Sequence, residues 1–180
     1  MSEPYDVLVV CEGNLCRSPL AERLLTSRLA GGEVRVASAG VHAVVGAPMD
    51  ASAAAELTRL GGDPSEFDAR QLTASMATEA DLVLTATRAI RGQVVATAPA
   101  ALKRTFTLLE LAALLEELPW GGHESDVAET LARAADWRAS VSGLGNALDV
   151  PDPIGRSPEV HRAAADLADR ATRVIAAWLG

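Results

Sequence analysis

Residues 7–19 read VLVVCEGNLCRSP, and this stretch predicts how the rest of the chain is arranged. Its first four residues are all apolar, which is typical of a strand in a parallel sheet that is buried on both faces. Ser18 and Pro19 are residue types favoured at the N-cap and the first position of a helix. The loop between strand and helix runs from Cys11 to Arg17. It contains a glycine and an asparagine, which tolerate a positive φ.

This predicted loop is suited to binding a tetrahedral oxyanion. A short loop that enters a helix N-terminus directs several backbone N–H groups toward one point, and the helix dipole adds positive charge there. Arg17 can donate two parallel hydrogen bonds to a phosphate. The same field stabilises a thiolate, and the Ser18 hydroxyl could also hydrogen-bond the sulfur. We therefore predict that Cys11 is a nucleophile and that phosphate is bound by Glu12, Gly13, Asn14, Leu15, Cys16, Arg17 and Ser18.

The spacing of Cys11 and Arg17 is weak on its own, since many chains contain it by chance. The alternative is a buried cysteine at a strand end, followed by an unrelated arginine. The apolar strand before the loop and the Ser-Pro pair after it favour the phosphate loop.

The composition limits the classes of function. With 180 residues, of which 49% are hydrophobic, the chain has the size and composition of one globular domain. A formal net charge of −8 disfavours nucleic-acid binding, because the nucleic-acid backbone would be repelled. No long apolar run and no signal-peptide pattern occur, so we expect no membrane partner. Both cysteines lie in one loop, and we expect a single cytoplasmic domain spanning residues 1–180.

Strand and helix patterns alternate along the chain. Residue patterns predict strands at 7–10, 33–40, 80–85 and 104–108. Helical spacing predicts helices at 20–29, 51–60, 73–78, 88–96, 110–118, 127–141 and 158–179. This alternation is typical of a three-layer α/β fold, in which a four-stranded, parallel, doubly wound sheet carries helices on both faces. Ligands bind such sheets at the carboxyl ends of the strands, where Cys11 lies.

The segment 11–19 closely resembles the phosphate loop of the low-molecular-weight protein tyrosine phosphatases, in their bacterial form. In that family the general acid is an aspartate in an Asp-Pro pair far downstream, and Asp152-Pro153 fits this pattern. The resemblance implies a phosphomonoester hydrolase, and first of all a protein-tyrosine phosphatase. Cys11 would form a phosphocysteine, Arg17 would hold the phosphoryl group and Asp152 would protonate the leaving oxygen. The resemblance covers most of the chain, apart from a helical insertion at about 119–147.

Asp152 also has a plain structural alternative, because Asp-Pro is an ordinary turn signal. Its place in the family pattern favours the role of general acid, which can then activate water as a base. Asp149 is the competing carboxylate. It lacks the adjacent proline, and we interpret it as an N-cap or a solvated charge.

The resemblance leaves two roles open for Cys16. In family members with this second loop cysteine, a reversible disulfide with the catalytic cysteine protects the latter from further oxidation. The alternative is a small buried hydrophobic residue. Asn14 is expected to hold the loop in shape rather than to contact substrate.

The expected substrate cleft departs from the family pattern. Phosphotyrosine-selective members carry aromatic residues after the second strand and after the Asp-Pro pair, where this chain has aliphatic segments at 41–45 and Ile154. Glu12 replaces a small or apolar residue. Leu15 supports an apolar rim, whereas members that act on phosphoarginine have threonine at that place. Phosphotyrosine is therefore favoured over phosphoarginine.

His42, His123 and His161 show no metal-ligand spacing, and we interpret them as surface residues. No metal and no cofactor is expected, and the expected partners are a phosphorylated protein and phosphate or a similar oxyanion. One alternative function is an arsenate reductase of the same fold that borrows a small thiol. A second is a non-catalytic phosphate-binding regulatory protein. It is disfavoured because a pure binding protein needs no activated thiol.

Overall fold

The computed structural model describes residues 4–117 and 127–180, and its centre is one parallel β-sheet. The strands are β1 (Tyr5–Cys11), β2 (Val34–Gly40), β3 (Leu82–Thr85) and β4 (Thr105–Thr107). Their order in the sheet is β2-β1-β3-β4, and all three pairings are parallel. The predicted four-stranded, doubly wound sheet is confirmed, and β1 lies inside it with a neighbour on each side.

Eight α-helices occur among the described residues. They are α1 (Arg17–Arg28), α2 (Ala51–Arg59), α3 (Ala74–Glu79), α4 (Arg88–Thr97), α5 (Leu108–Glu117), α6 (Val127–Asp136), α7 (Arg138–Val141) and α8 (Pro158–Leu179). Two 3-10 segments, Pro99–Arg104 and Ser142–Leu148, precede β4 and follow α7. None of the helices in the described ranges is long and apolar enough to cross a lipid bilayer.

The helices form a layer on each face of the sheet, as the residue pattern of β1 requires. Val7 and Val9 point to one face and pack with buried residues of α1, α2, α5 and α8. Leu8 and Val10 point to the other face and pack with α3 and α4. Because both faces are covered, β1 has no polar face, which explains its continuous apolar run.

The region predicted as an insertion covers the outer edge of β4. Its first residues lie outside the described residues, and so does the predicted end of the helix at 110–118. The helix predicted at 127–141 is divided at Trp137 into α6 and α7. Arg138 donates a hydrogen bond to the Thr105 carbonyl, and its guanidinium lies 4.3 Å from the centre of the Phe106 ring. The outer edge of β4 is therefore covered by this side chain. That residues 1–180 form one domain with an insertion at 119–147 stays a prediction.

Candidate active site

Cys11 is the last residue of β1, and its sulfur faces the first turn of α1. The Sγ atom lies 2.9 Å from the hydroxyl oxygen of Ser18. Both residues are buried. A thiol at the carboxyl end of an inner strand is at the edge of a parallel sheet where ligands bind.

The loop from Cys11 to α1 presents free backbone N–H groups, whereas its backbone carbonyls accept hydrogen bonds from other segments. Three successive loop carbonyls, of Cys11, Glu12 and Gly13, accept backbone hydrogen bonds from the segment after β2, at 41, 42 and 44. The Leu15 carbonyl accepts from the Asp50 N–H. Within residues 4–117 and 127–180, no acceptor takes a backbone N–H of residues 12–18. These N–H groups are therefore free to donate to an anion, and phosphate binding by this loop stays a prediction.

Asn14 fixes the shape of this loop. Its backbone has a φ of 56°, in the left-handed region that asparagine tolerates. Its buried amide donates to the hydroxyls of Ser18 and Ser38, at 2.8 and 2.9 Å. Its side-chain oxygen accepts from the Arg70 N–H at 2.8 Å. The side chain is thus fully used inside the protein, which agrees with the expected role in holding the loop.

Gly40, at the end of β2, allows the loop to lie directly against the sheet. A Cβ atom at this position would lie 2.6 Å from the Glu12 carbonyl oxygen and 2.9 Å from the Asn14 nitrogen. Both neighbours are backbone atoms and cannot rotate away. A glycine is therefore required behind the phosphate loop, for space rather than for a positive φ.

Arg17 and Asp152 meet at the mouth of the loop. One guanidinium nitrogen of Arg17 donates to the Val150 carbonyl at 3.3 Å, and the other lies 3.2 Å from a carboxylate oxygen of Asp152. The Arg17 side chain is only 8% exposed, whereas that of Asp152 is 51% exposed. The cation is therefore held rigidly beside the loop, and the carboxylate remains open to solvent.

The segment that carries Asp152 is anchored to the neighbouring strand. The Val150 N–H donates to the carbonyl of Ala86, just after β3, at 2.8 Å. The Asp149 carboxylate accepts the N–H of Arg88, the first residue of α4, at 2.8 Å. Asp149 thus satisfies the first N–H of α4, but the N-cap residue of that helix is Thr87, so Asp149 is not itself an N-cap residue. Asp152 is the carboxylate that reaches Arg17.

The expectation that Ser18 caps α1 is wrong. The helix begins at Arg17 and its N-cap is Cys16, whose side chain makes no capping hydrogen bond. Ser18 lies in the first turn, where its hydroxyl contacts the Cys11 sulfur and the Asn14 amide. The physical reason is that the N–H groups at the start of this helix face the interior of the phosphate loop. No side chain caps them there.

Cys16 is a free, buried thiol on the inner side of the loop. Burial, together with the nearby Asp50 carboxylate, raises the pKa of Cys16 far above its ordinary value. Cys16 is therefore a neutral thiol at physiological pH. Its role in a disulfide with Cys11 stays a prediction.

Aliphatic side chains line the surface next to the loop. Val44, Val45 and Ile154 are exposed, and Leu15 is half-buried. The exposed Glu12 carboxylate lies 2.7 Å from a ring nitrogen of His42, which pairs the acidic residue beside Cys11 with an imidazole. All four of these lining residues are aliphatic, and none of them is aromatic.

His161, like Ser18, differs from what the sequence predicts. It is buried in the first turn of α8, not on the surface. His42 is exposed, as expected, and His123 lies outside the described residues. Helical spacing of apolar residues along α8 gave no signal for a buried histidine, because the residue is polar.

Comparisons with known proteins agree with this geometry. A family model described as low molecular weight phosphotyrosine protein phosphatase matches residues 6–120, which include Cys11 and Arg17 and end before Asp152. The low molecular weight protein-tyrosine-phosphatase Etp of Escherichia coli (strain K12) is 48% identical over 93 residues, or 52% of this chain. That match spans 62% of Etp, so the chain covers less than two thirds of this relative.

Solved structures resemble the whole chain. The tyrosine phosphatase Wzb from Escherichia coli K30, in complex with sulphate, superposes with a TM-score of 0.72 at 26% identity and covers 100% of both chains. The YwlE arginine phosphatase from Geobacillus stearothermophilus gives a TM-score of 0.72 at 29% identity and covers 97% of this chain and 92% of its own. This protein belongs to the low molecular weight phosphotyrosine protein phosphatase family.

Proposed function

We propose that this protein is a protein-tyrosine phosphatase that works through a phosphocysteine intermediate. The observation that carries the proposal is the arrangement around Cys11: a thiol beside a hydroxyl, a loop of free N–H groups and a buried guanidinium that contacts an open carboxylate. A protein that only binds phosphate needs the donors but not the thiol or the carboxylate.

In the first step, the Cys11 thiolate attacks the phosphorus of a phosphate monoester. The N–H groups of residues 12–18 and Arg17 bind the equatorial oxygens and stabilise the charge of the transition state, which supplies the largest share of the rate. Asp152 donates its proton to the leaving oxygen as the P–O bond breaks. The products are the free alcohol or phenol and a thiophosphate on Cys11.

In the second step, Asp152 acts as a base. It takes a proton from water, and the resulting hydroxide attacks phosphorus, releases inorganic phosphate and returns the thiolate of Cys11. The contact between Arg17 and Asp152 supports this exchange of roles. A bound phosphate can replace the Asp152 carboxylate as the partner of the Arg17 guanidinium. The Asp152 carboxyl group then lies close to the leaving oxygen.

Phosphotyrosine in a protein is the proposed substrate. The aliphatic surface formed by Leu15, Val44, Val45 and Ile154 offers apolar contact to a phenyl ring, although it lacks ring stacking. Both cysteines are free, which suits a reducing compartment such as the cytoplasm. The chemistry balances without a cofactor.

The test is hydrolysis of p-nitrophenyl phosphate and of phenyl phosphate without added metal. We expect no turnover by Cys11→Ser. We expect Asp152→Ala to lose roughly 10²–10⁴-fold in kcat, with the larger loss on phenyl phosphate, whose leaving group needs a proton more. Asp149→Asn is the matched control, because it keeps the acceptor for Arg88, and it should retain most of the activity.

Two further assays separate the alternatives. Comparison of a phosphotyrosine peptide with a phosphoarginine peptide tests the substrate class, and a higher kcat/KM on phosphoarginine would overturn the proposal for phosphotyrosine. Absence of hydrolysis by the wild type would overturn the phosphatase itself. Reduction of arsenate with glutathione should then be measured.

A further inference from the structure

Three side chains from distant parts of the chain meet behind the phosphate loop. They are Cys16, the N-cap of α1, Asp50, the N-cap of α2, and His161, in the first turn of α8. The sulfur, a carboxylate oxygen and an imidazole nitrogen all lie within 4.8 Å of one another. The mechanism proposed above uses none of these three groups as a reactant.

His161 is the side chain whose role the fold leaves unexplained. It is 5% exposed, and its Nδ1 atom is buried without a hydrogen-bond partner among the described residues. Its nearest charged neighbour is the Asp50 carboxylate at 3.9 Å, beyond hydrogen-bond distance. Buried polar atoms are rarely left in this state, and an unpartnered imidazole nitrogen that faces a thiol and a carboxylate is available to a ligand.

We propose that Cys16, Asp50 and His161 form a binding site for a zinc ion. A thiolate, an imidazole and a carboxylate are the three ligand types that Zn²⁺ takes in proteins. Ligand atoms around a tetrahedral zinc are about 3.3–3.8 Å apart, given bonds of about 2.0–2.3 Å. The present spacing of up to 4.8 Å must therefore contract by a small amount, which side-chain rotation can supply.

The charges of such a site balance. A divalent zinc with one thiolate, one carboxylate and a neutral imidazole has no net charge, so neither Arg17 nor the helix N-termini oppose it. The same N-termini stabilise the two anionic ligands. Zinc binds cysteine as the thiolate, so binding at Cys16 would release the proton of this thiol.

Asp50 can bind a metal without giving up its capping role. One oxygen of its carboxylate, Oδ1, accepts the N–H groups of Ser52 and Ala53, at 3.0 and 3.1 Å. The same Oδ1 is the oxygen that lies 3.9 Å from His161 Nδ1, so a small rotation of the carboxylate is needed to offer its second oxygen to the metal. A small cavity beside this cluster is lined by Cys16, His161 and Pro153, among others.

The proposal is independent of the phosphatase reaction, and its test uses metal binding alone. The full chain, freed of metal with a chelator and held reduced, is titrated with Zn²⁺ in competition with a chromophoric chelator. We expect one ion per chain. Co²⁺ in place of zinc should show thiolate-to-cobalt charge-transfer absorption and the visible bands of tetrahedral cobalt.

The variants identify the ligands. Cys16→Ser, which removes the thiolate, should abolish the charge-transfer absorption, and His161→Phe should weaken zinc binding at least about tenfold. Asp50→Asn keeps an N-cap residue and removes one anionic ligand, so it should weaken binding with little change in folding. Cys11→Ser and His42→Ala are the matched controls, and both should bind as the wild type does. Circular dichroism checks that each variant is folded.

Several results would overturn the site. One is a wild-type chain that binds no zinc at micromolar concentration. Another is wild-type affinity in folded His161→Phe. A third is loss of the cobalt absorption in Cys11→Ser, which would place the metal on the catalytic thiol.

Discussion

The hydroxyl oxygen of Ser18 lies 2.9 Å from the Cys11 sulfur, and the Asn14 amide donates to the same oxygen. The amide occupies a lone pair of the hydroxyl, and the hydroxyl proton can be donated either to the sulfur or to the Ala39 carbonyl, which lies farther away at 3.4 Å. Donation to the sulfur stabilises a thiolate. Ser18 thus links the Cys11 nucleophile to Asn14, the side chain that holds the loop in shape.

Replacement of this serine should slow the reaction of Cys11. We expect Ser18→Ala to reduce kcat and the rate of alkylation by iodoacetamide at mildly acidic pH by about ten- to a hundredfold, since a hydrogen bond to a charged group contributes about 1.5–3 kcal/mol. Ser27→Ala, an exposed serine on the same helix, is the control and should leave both rates unchanged. Equal alkylation rates in the two variants would contradict the role of the hydroxyl.

Asn14 should contribute to stability through both its backbone and its amide. Asn14→Ala loses three hydrogen bonds and places an alanine at a φ of 56°, so we expect the free energy of unfolding to fall by about 3 kcal/mol. Asn14→Gly loses the same bonds without the strain, and its loss should be about 1 kcal/mol smaller. Urea denaturation measures both, and identical losses would show that the left-handed backbone costs nothing here.

Gly40 should matter for phosphate binding. Gly40→Ala forces a Cβ against the Glu12 carbonyl, so the loop must move away from the sheet. We expect at least about a tenfold weaker inhibition by inorganic phosphate and a similar loss in kcat/KM. Gly92→Ala, inside α4 with open space around its Cβ position, should keep full activity and gain about 0.5–1 kcal/mol of stability. An active Gly40→Ala enzyme would show that the loop tolerates displacement.

Asp169 should make stability depend on pH at the acid end. Burial alone would raise the pKa of Asp169, but hydrogen bonds from Arg173 and Arg28 hold it below its ordinary value. A carboxylate with a lowered pKa stabilises the fold at neutral pH, and this contribution is lost as the pH falls below about 4. We expect Asp169→Asn to unfold more easily at neutral pH, by about 1–3 kcal/mol. The difference from the wild type should shrink toward pH 3, and a constant difference would exclude the ion pairs as its cause.

An aromatic residue at Ile154 should improve the use of phosphotyrosine. Ile154 is exposed, two residues after Asp152, and it can contact the substrate ring only as an aliphatic group. Ring stacking is worth about 0.5–1.5 kcal/mol, so Ile154→Tyr should raise kcat/KM on a phosphotyrosine peptide about two- to tenfold. Hydrolysis of a small alkyl phosphate is the control and should not change. A fall in both would mean that the side chain disturbs the Asp152 segment.

The fold, and the part of the site between Cys11 and Arg17, could be predicted from the sequence because their signals are local. The apolar run of β1 reports burial on both faces, and the segment from Cys11 to Arg17 is one continuous loop. The assignment of Ser18 failed because a serine before a proline is usually a cap, whereas here its hydroxyl is taken by the neighbouring sulfur. Spacing could not relate Cys16, Asp50 and His161, since they start three different helices. Only the packing of α8 against α1 and α2 brings them together.

The anchors around Asp152 have a consequence for how this protein can change in evolution. Leu148 is tied by its carbonyl to the Thr107 hydroxyl, and Val150 is tied by its N–H to the Ala86 carbonyl. The chain therefore returns to the sheet at a fixed point, whatever precedes it. We therefore expect that a change in the segment before Leu148 leaves the carboxylate in place, provided that Arg138 keeps its contacts with β4. The segment before Leu148 is therefore also a place where a foreign peptide can be inserted while the catalytic geometry is kept.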